Sequence, residues 1–234
     1  MAYCGERTLT TIIDHVHHAA TLRCRSWCCP DCAPKRKVQL VMKAKSGKPD
    51  RFLTLTSRVV DSITAEQAAK DLVRAWRLIR RSLKHANPKL KLNFLAVFEH
   101  TRAGWPHLHI LIRGPYLDWW WLSRQMERLT DSPRVDIRKV HNGQGAARYM
   151  AKYIGKAPGK FGTLKRYWST PTWELDSKIK GRIKVQWCNE KMTLDHWCEM
   201  WTRNMWTVER TSHDKAEARA PPSGRFPQLE VQSC

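Results

Sequence analysis

Short stretches of apolar and β-branched residues recur four times in the middle of the chain. RFLTLTS alternates apolar side chains with threonine, whereas NFLAVFEH and HLHILIR are almost continuously apolar. Both patterns are typical of strands that bury at least one face, and PRVDIRKV fits the first pattern more weakly. We therefore predict four strands, over residues 51–57, 93–100, 107–113 and 133–140.

Apolar residues spaced three and four positions apart predict helices between and after these strands. Thr64 and Gln67 can form a capping box at the start of the first helix. Its apolar positions are Ala65, Ala68, Leu72, Trp76, Ile79 and Leu83. Asp118 is a candidate N-cap for a second helix. A third helix is predicted over residues 144–156, where Pro158 follows.

The order of these elements sets the expected fold class. β-α-β-β-α-β followed by one more helix predicts an α+β domain with a ferredoxin/RRM-like antiparallel sheet and helices on one face. We divide the chain into four segments on this basis. They are a small Cys/His-rich basic N-terminal segment (1–50), the sheet domain (51–160), a basic Trp-rich C-terminal extension (161–207) and a tail predicted to be disordered (208–234).

Basic residues outnumber acidic residues along the whole chain. Lysine and arginine total 42 against 21 acidic residues, which gives a formal charge of +21. This excess favours a polyanionic partner, with nucleic acid first and an acidic membrane surface second, over a protein that is simply basic. No run reaches the roughly 20 apolar residues of a membrane helix. The first ten residues also lack the apolar core of a secretory signal, so we expect a reducing cytoplasm and no membrane association.

Two histidines stand one residue apart in the third predicted strand. Residues i and i+2 of a strand point to the same face, so His107 and His109 would lie side by side while Leu108 takes the core face. Glu99, at the end of the preceding strand, can lie over the same face if the two strands form a hairpin. Two imidazoles and one carboxylate suit catalytic Mg²⁺ or Mn²⁺. The alternative is an ordinary polar face that carries two histidines.

The helix predicted over residues 144–156 has one polar and one apolar face. At about 100° per residue, Tyr149, Lys152, Tyr153 and Lys156 share one face and the alanines take the other. A tyrosine hydroxyl can attack a phosphodiester that a metal polarises, and a neighbouring lysine can neutralise the developing charge. Considered alone, this pattern also fits an amphipathic helix with tyrosines at its rim.

Three sequence motifs resemble, in their order and spacing, those of the HUH endonucleases. They are FLTLT (Phe52–Thr56), FEHTRAGWPHLHILI and YMAKYIGK. The resemblance covers roughly residues 24 to 156 and is greatest to rolling-circle replication initiators of small circular single-stranded DNA phages (microvirus type) and related plasmids.

This resemblance implies specific roles. Glu99, His107 and His109 would be the metal ligands, and Tyr149, Tyr153 and Lys152 the catalytic residues of an HUH domain over residues 51–160. Such an enzyme nicks single-stranded DNA at an origin, stays joined to the 5′ phosphate and leaves a 3′ hydroxyl as primer. Because the sequence has no Walker-type loop, unwinding and synthesis are expected to come from a host helicase and polymerase in the bacterial cytoplasm.

Four cysteines lie within nine residues of the N-terminal segment. CRSWCCPDC makes Cys24, Cys28, Cys29 and Cys32 candidate ligands of a structural Zn²⁺. The fourth ligand is left open, because Cys4, His15, His17 or His18 could replace Cys28. Reduced cysteines packed as small apolar residues are the alternative.

Aromatic and basic residues supply candidate DNA contacts. Three successive tryptophans at 119–121 cannot all face the core of one helix, so at least one, with Trp120 as the candidate, is expected to be exposed where bases can stack. Lys156 and Arg166 are candidate phosphate contacts. A transposase or relaxase with the same chemistry is the nearest alternative function. A non-catalytic single-stranded nucleic-acid-binding protein is another, although RFLTLTS lacks the aromatic residues on which such sheets stack bases.

Overall fold

The computed structural model describes residues 4–140, 158–174 and 188–220. Residues 4–33 and 188–220 form one compact unit, and residues 34–140 and 158–174 form a second. The described residues contain two five-stranded antiparallel sheets and four helices, so the predicted α+β class is confirmed.

The secondary-structure elements are numbered in chain order. They are β1 (Thr8–Ile13), β2 (Val16–Thr21), α1 (Cys32–Ser46), β3 (Arg51–Thr56), α2 (Ala65–Ala86), β4 (Asn93–His100), β5 (Pro106–Arg113), α3 (Trp119–Thr130), β6 (Val135–Lys139), β7 (Tyr167–Ser169), β8 (Cys188–Glu190), α4 (Leu194–Arg203), β9 (Thr207–Ser212) and β10 (Lys215–Arg219). Among the described helices, none is both long enough and apolar enough to cross a bilayer.

The sheet of the second unit has the predicted ferredoxin-like order. Its strands run β6-β3-β5-β4-β7, and β5 lies between the two strands that α2 connects. The strand bounds agree with the predicted ones to within about two residues. The fifth strand, β7, was not predicted. It pairs with β4 and extends the sheet beyond residue 160, where the sequence domain was expected to end.

Helices α2 and α3 pack on one face of this sheet. Apolar side chains of both helices form a single core with the inward side chains of β3, β4 and β5. The largest of these residues are Leu53, Leu55, Leu72, Trp76, Ile79, Phe98, Leu108, Ile110, Leu122 and Met126. Burying each large apolar side chain contributes roughly 1.5–3 kcal/mol. The predicted apolar face of α2 is therefore its core face.

Both predicted helix N-caps form. The Asp118 carboxylate accepts from the Trp121 backbone N–H at 2.7 Å, and the Thr64 hydroxyl accepts from the Gln67 backbone N–H at 3.1 Å. The capping box of α2 is one-sided, because the Gln67 side chain donates to Asp71 one turn further on at 3.1 Å. A carboxylate acceptor on the same helix face competes with the backbone N–H of the cap.

The first unit is a second antiparallel sheet with strand order β8-β1-β2-β10-β9. Helix α4 contributes Leu194, Trp197 and Trp201 to its core. Disorder was expected from Val208 onward, but β9 and β10 form a hairpin that pairs with β2.

The C-terminal hairpin escapes a compositional prediction for a physical reason. On β10, Ala216 and Ala218 are buried while Lys215 and Arg219 are exposed. Two small inward residues between charged ones resemble a disordered segment in composition. The segment becomes ordered because β2, which is almost 200 residues earlier in the chain, supplies its partner strand. The rest of the predicted tail, residues 221–234, is not among the described residues.

Candidate metal centres

Strands β4 and β5 bring Glu99 and the two histidines to one face of the sheet. Glu99 lies directly opposite His107 in the antiparallel register, and His109 follows two residues later on β5. Leu108 and Ile110, between and after the histidines, point into the core beneath α2 and α3. The alternation of the strand thus separates a core face from a polar site.

The ligand atoms of these three side chains converge. One oxygen of Glu99 and one ring nitrogen each of His107 and His109 all lie within 4.8 Å of one another. His109 Nε2 is 2.6 Å from Glu99 Oε2, and only 5% of the His109 side chain and 14% of the Glu99 side chain are exposed. Such a cluster of a carboxylate and two imidazoles can hold a divalent cation.

Residues of β3 hold the His109 ring in place. The Thr54 hydroxyl is 3.1 Å from His109 Nδ1, and the Phe52 ring stacks on the imidazole with a centroid distance of 5.4 Å. If Nε2 gives its lone pair to a metal, Nδ1 carries the proton and donates it to the Thr54 oxygen. Thr54 therefore selects the ring tautomer that leaves Nε2 free for a metal.

The environment of His107 favours its neutral form. Burial lowers the pKa of His107, the neighbouring His109 lowers it further, and the Glu99 carboxylate acts in the opposite direction. A neutral imidazole keeps the lone pair that a metal ligand needs. His100, at the end of β4, is not part of this group, since its ring hydrogen-bonds the Gly104 carbonyl and the Lys160 backbone N–H.

The remaining predicted site residues are only partly described. Tyr149, Lys152, Tyr153 and Lys156 lie outside the described residues, as does the predicted helix over 144–156. Trp120 is 69% exposed at the start of α3, as the run of three tryptophans required. The Arg166 guanidinium donates to the Pro158 carbonyl, so part of its hydrogen-bonding capacity is used within the chain. DNA contacts by Trp120 and Arg166 stay predictions.

A second group of potential metal ligands lies in the first unit. The sulfur atoms of Cys4, Cys24, Cys29 and Cys32 are all within 4.8 Å of one another. Cys28, the fourth ligand first considered from the CRSWCCPDC stretch, is exposed and is not one of the four. Cys4, an alternative left open by the sequence, takes that place.

Sequence reasoning did not single out Thr54 and did not choose Cys4. The signal for Thr54 was present, because the alternation of RFLTLTS puts Thr54 on one face, and pairing of the first and third predicted strands would place it beside His109. For Cys4 there was no local signal, since 19 residues separate it from Cys24.

One comparison with known proteins gives a match. Residues 50–158 match a family model described as a replication-associated protein of the ORF2 type, and this region includes Glu99, His107 and His109 but a little under half of the chain. No curated protein and no solved structure matches the chain. The family match supports a replication initiator, and it suggests DNA as the partner.

Proposed function

We propose that this protein initiates rolling-circle replication by nicking and rejoining single-stranded DNA at an origin. The observation that carries the proposal is the convergence of Glu99, His107 and His109 on one sheet face, within a region that matches a replication-associated family. The formal charge of +21 supports a nucleic-acid substrate. The proposal includes the HUH class and its relation to microvirus-type initiators, which rest on the motif resemblance.

The three converging side chains suit Mg²⁺ or Mn²⁺. They provide one carboxylate oxygen and two neutral nitrogens, which leaves coordination positions open for water and a phosphate oxygen. A divalent ion held there supplies Lewis-acid polarisation of the scissile phosphate. Glu99, His107 and His109 thereby fix where on the protein a phosphodiester can react.

The nucleophile in this proposal is the hydroxyl of Tyr149. Its oxygen forms a bond to phosphorus as the bond from phosphorus to the 3′ oxygen breaks, so one phosphodiester replaces another. The tyrosine loses its hydroxyl proton and the departing 3′ oxygen gains one, which requires no further reactant. Lys152, one turn away on the predicted helix, is placed to balance charge on the phosphate.

Tyr153 would act in the second half of the cycle. When a new origin copy arrives, the first tyrosine is still esterified to DNA, so cleavage of the copy needs a second nucleophile. Two tyrosines four residues apart on one helical face meet that need. A host helicase and polymerase would then unwind and extend the DNA in the bacterial cytoplasm.

The test is nicking of the single-stranded DNA of the protein's own replicon in the presence of Mn²⁺ or Mg²⁺. His107→Ala and His109→Ala should lose nicking but keep most DNA binding, because charge spread over the chain supplies the affinity. His100→Ala is the matched control, since it removes a nearby histidine outside the ligand group. Glu99→Gln should weaken metal use, and higher Mn²⁺ should partly restore the rate.

Three outcomes would refute parts of this proposal. Wild-type nicking by either histidine variant would remove the metal site from the chemistry. DNA binding with no cleavage under any divalent metal would favour a non-catalytic binding protein. Cleavage at transposon ends or at a transfer origin, with none at the replication origin, would favour a transposase or relaxase.

A further inference from the structure

The four cysteines of the first unit come from separate parts of the chain. Cys4 precedes β1, Cys24 follows β2, and Cys29 and Cys32 lie at the start of α1. The Sγ atoms of Cys4 and Cys32 are 3.4 Å apart, and those of Cys24 and Cys32 are 3.8 Å apart. Convergence of four sulfurs from three segments requires a cause beyond sequence proximity.

These separations fit a tetrahedral metal site. Four sulfurs at the usual Zn–S distance of about 2.3 Å form a tetrahedron whose edges are about 3.8 Å. A disulfide brings two sulfurs to about 2 Å and joins them in pairs, whereas Cys32 is near both Cys4 and Cys24. Packing as apolar residues does not explain the group either, because Cys24 is exposed.

Neighbouring groups supply hydrogen bonds to the sulfurs. The Ser26 backbone N–H donates to Cys24 Sγ at 3.4 Å, and the Cys24 backbone N–H donates to the sulfur of Cys4. The Arg23 guanidinium also donates to Cys4, and it forms an ion pair with Asp214 in the turn before β10. Donors and a nearby positive charge suit sulfurs that carry negative charge in a metal complex.

We propose that Cys4, Cys24, Cys29 and Cys32 together bind one structural Zn²⁺. Four thiolate ligands fill the coordination shell of zinc and leave no position for a substrate, so the site holds chain segments together and performs no chemistry. It fixes the N-terminus and the end of β2 to the start of α1. This inference does not depend on the proposed nicking activity.

The first experiment measures metal content in the full-length protein purified without chelators. Elemental analysis should find close to one zinc per chain in the wild type and in Cys28→Ala, but almost none in Cys4→Ala. Cys28→Ala is the matched control, because Cys28 lies between two of the ligands in sequence and outside the group of four. Iron in place of zinc, or zinc loss in Cys28→Ala with retention in Cys4→Ala, would overturn the proposal.

The second experiment uses only the wild type and so does not depend on the folding of a variant. Cys24 and Cys28 are both exposed, and exposure alone predicts that iodoacetamide alkylates both. A zinc-bound Cys24 should be protected while Cys28 reacts, as mass spectrometry of the peptides would record. Removal of zinc by a strong chelator should make Cys24 reactive. Equal alkylation of Cys24 and Cys28 before chelation would contradict zinc binding.

Discussion

Replacing Thr54 with valine tests whether β3 prepares His109 for metal binding. Valine has nearly the same shape as threonine but lacks the hydroxyl that lies 3.1 Å from His109 Nδ1. Both side chains are buried, so water does not readily replace the lost hydrogen bond. The imidazole is then free to adopt the tautomer whose Nε2 carries a proton and has no lone pair for a metal.

The size of the effect follows from this burial. An unsatisfied buried donor costs about 1–3 kcal/mol, and each 1.4 kcal/mol is tenfold in an equilibrium constant. We therefore expect Mn²⁺ affinity to fall roughly tenfold to a hundredfold, the range typical when a hydrogen bond that orients a ligand is removed. Nicking at saturating Mn²⁺ should recover most of the wild-type rate, because no ligand has been lost.

The assay combines direct and catalytic readouts. Electron paramagnetic resonance of free Mn²⁺ gives the dissociation constant without DNA, and nicking against Mn²⁺ concentration gives the half-saturating value. Thr54→Ser should restore both, since it keeps the hydroxyl. Thr56→Val is the matched control, because Thr56 lies on the same strand opposite His107. Unchanged Mn²⁺ affinity in Thr54→Val, or an equal loss in Thr56→Val, would refute the reasoning.

Three further predictions concern the nucleophile, the first unit and α3. Tyr149→Phe should lose most initial nicking of an origin oligonucleotide, whereas Tyr153→Phe should retain more nicking yet fail at joining; the reverse pattern would exchange their roles. Burial, and to a lesser degree His18, lowers the pKa of His17, so the stability it contributes above about pH 6.5 should be lost as pH falls, and His17→Phe should flatten the melting temperature measured between pH 7.5 and 5. Asp118→Ala should destabilise the protein by about 1 kcal/mol in urea unfolding, and Asp118→Asn, which keeps an acceptor, by less.

The sheet that carries the metal site was predictable because its signals are local. Periodicity located β3, α2, β4, β5 and α3 directly. Strand alternation put His107 and His109 on one face, and a hairpin between neighbouring strands brought Glu99 to them. Each of these inferences needs only residues that are close in sequence or adjacent in the element order.

The first unit was not predictable because its contacts are distant in sequence. Thr8 pairs with Glu190, and Ala19 pairs with Ala216. A strand three to six residues long with few large apolar residues gives no clear periodic signal. Its partners, rather than its own composition, stabilise it. The same distance hid the part of Cys4 in the cysteine group, and it placed the unit boundaries away from the predicted ones at residues 50 and 160.

The most direct test of the central claim is to locate the bond between protein and DNA. The sequence allows it, because trypsin cuts after Arg148, Lys152 and Lys156 and so releases Tyr149 and Tyr153 on separate tetrapeptides. After incubation with origin single-stranded DNA and Mn²⁺, nuclease and trypsin digestion should leave a nucleotide on the peptide of residues 149–152, and omission of the metal should abolish it. A metal-independent adduct, an adduct on any peptide outside residues 149–156, or no adduct despite nicking would contradict the account.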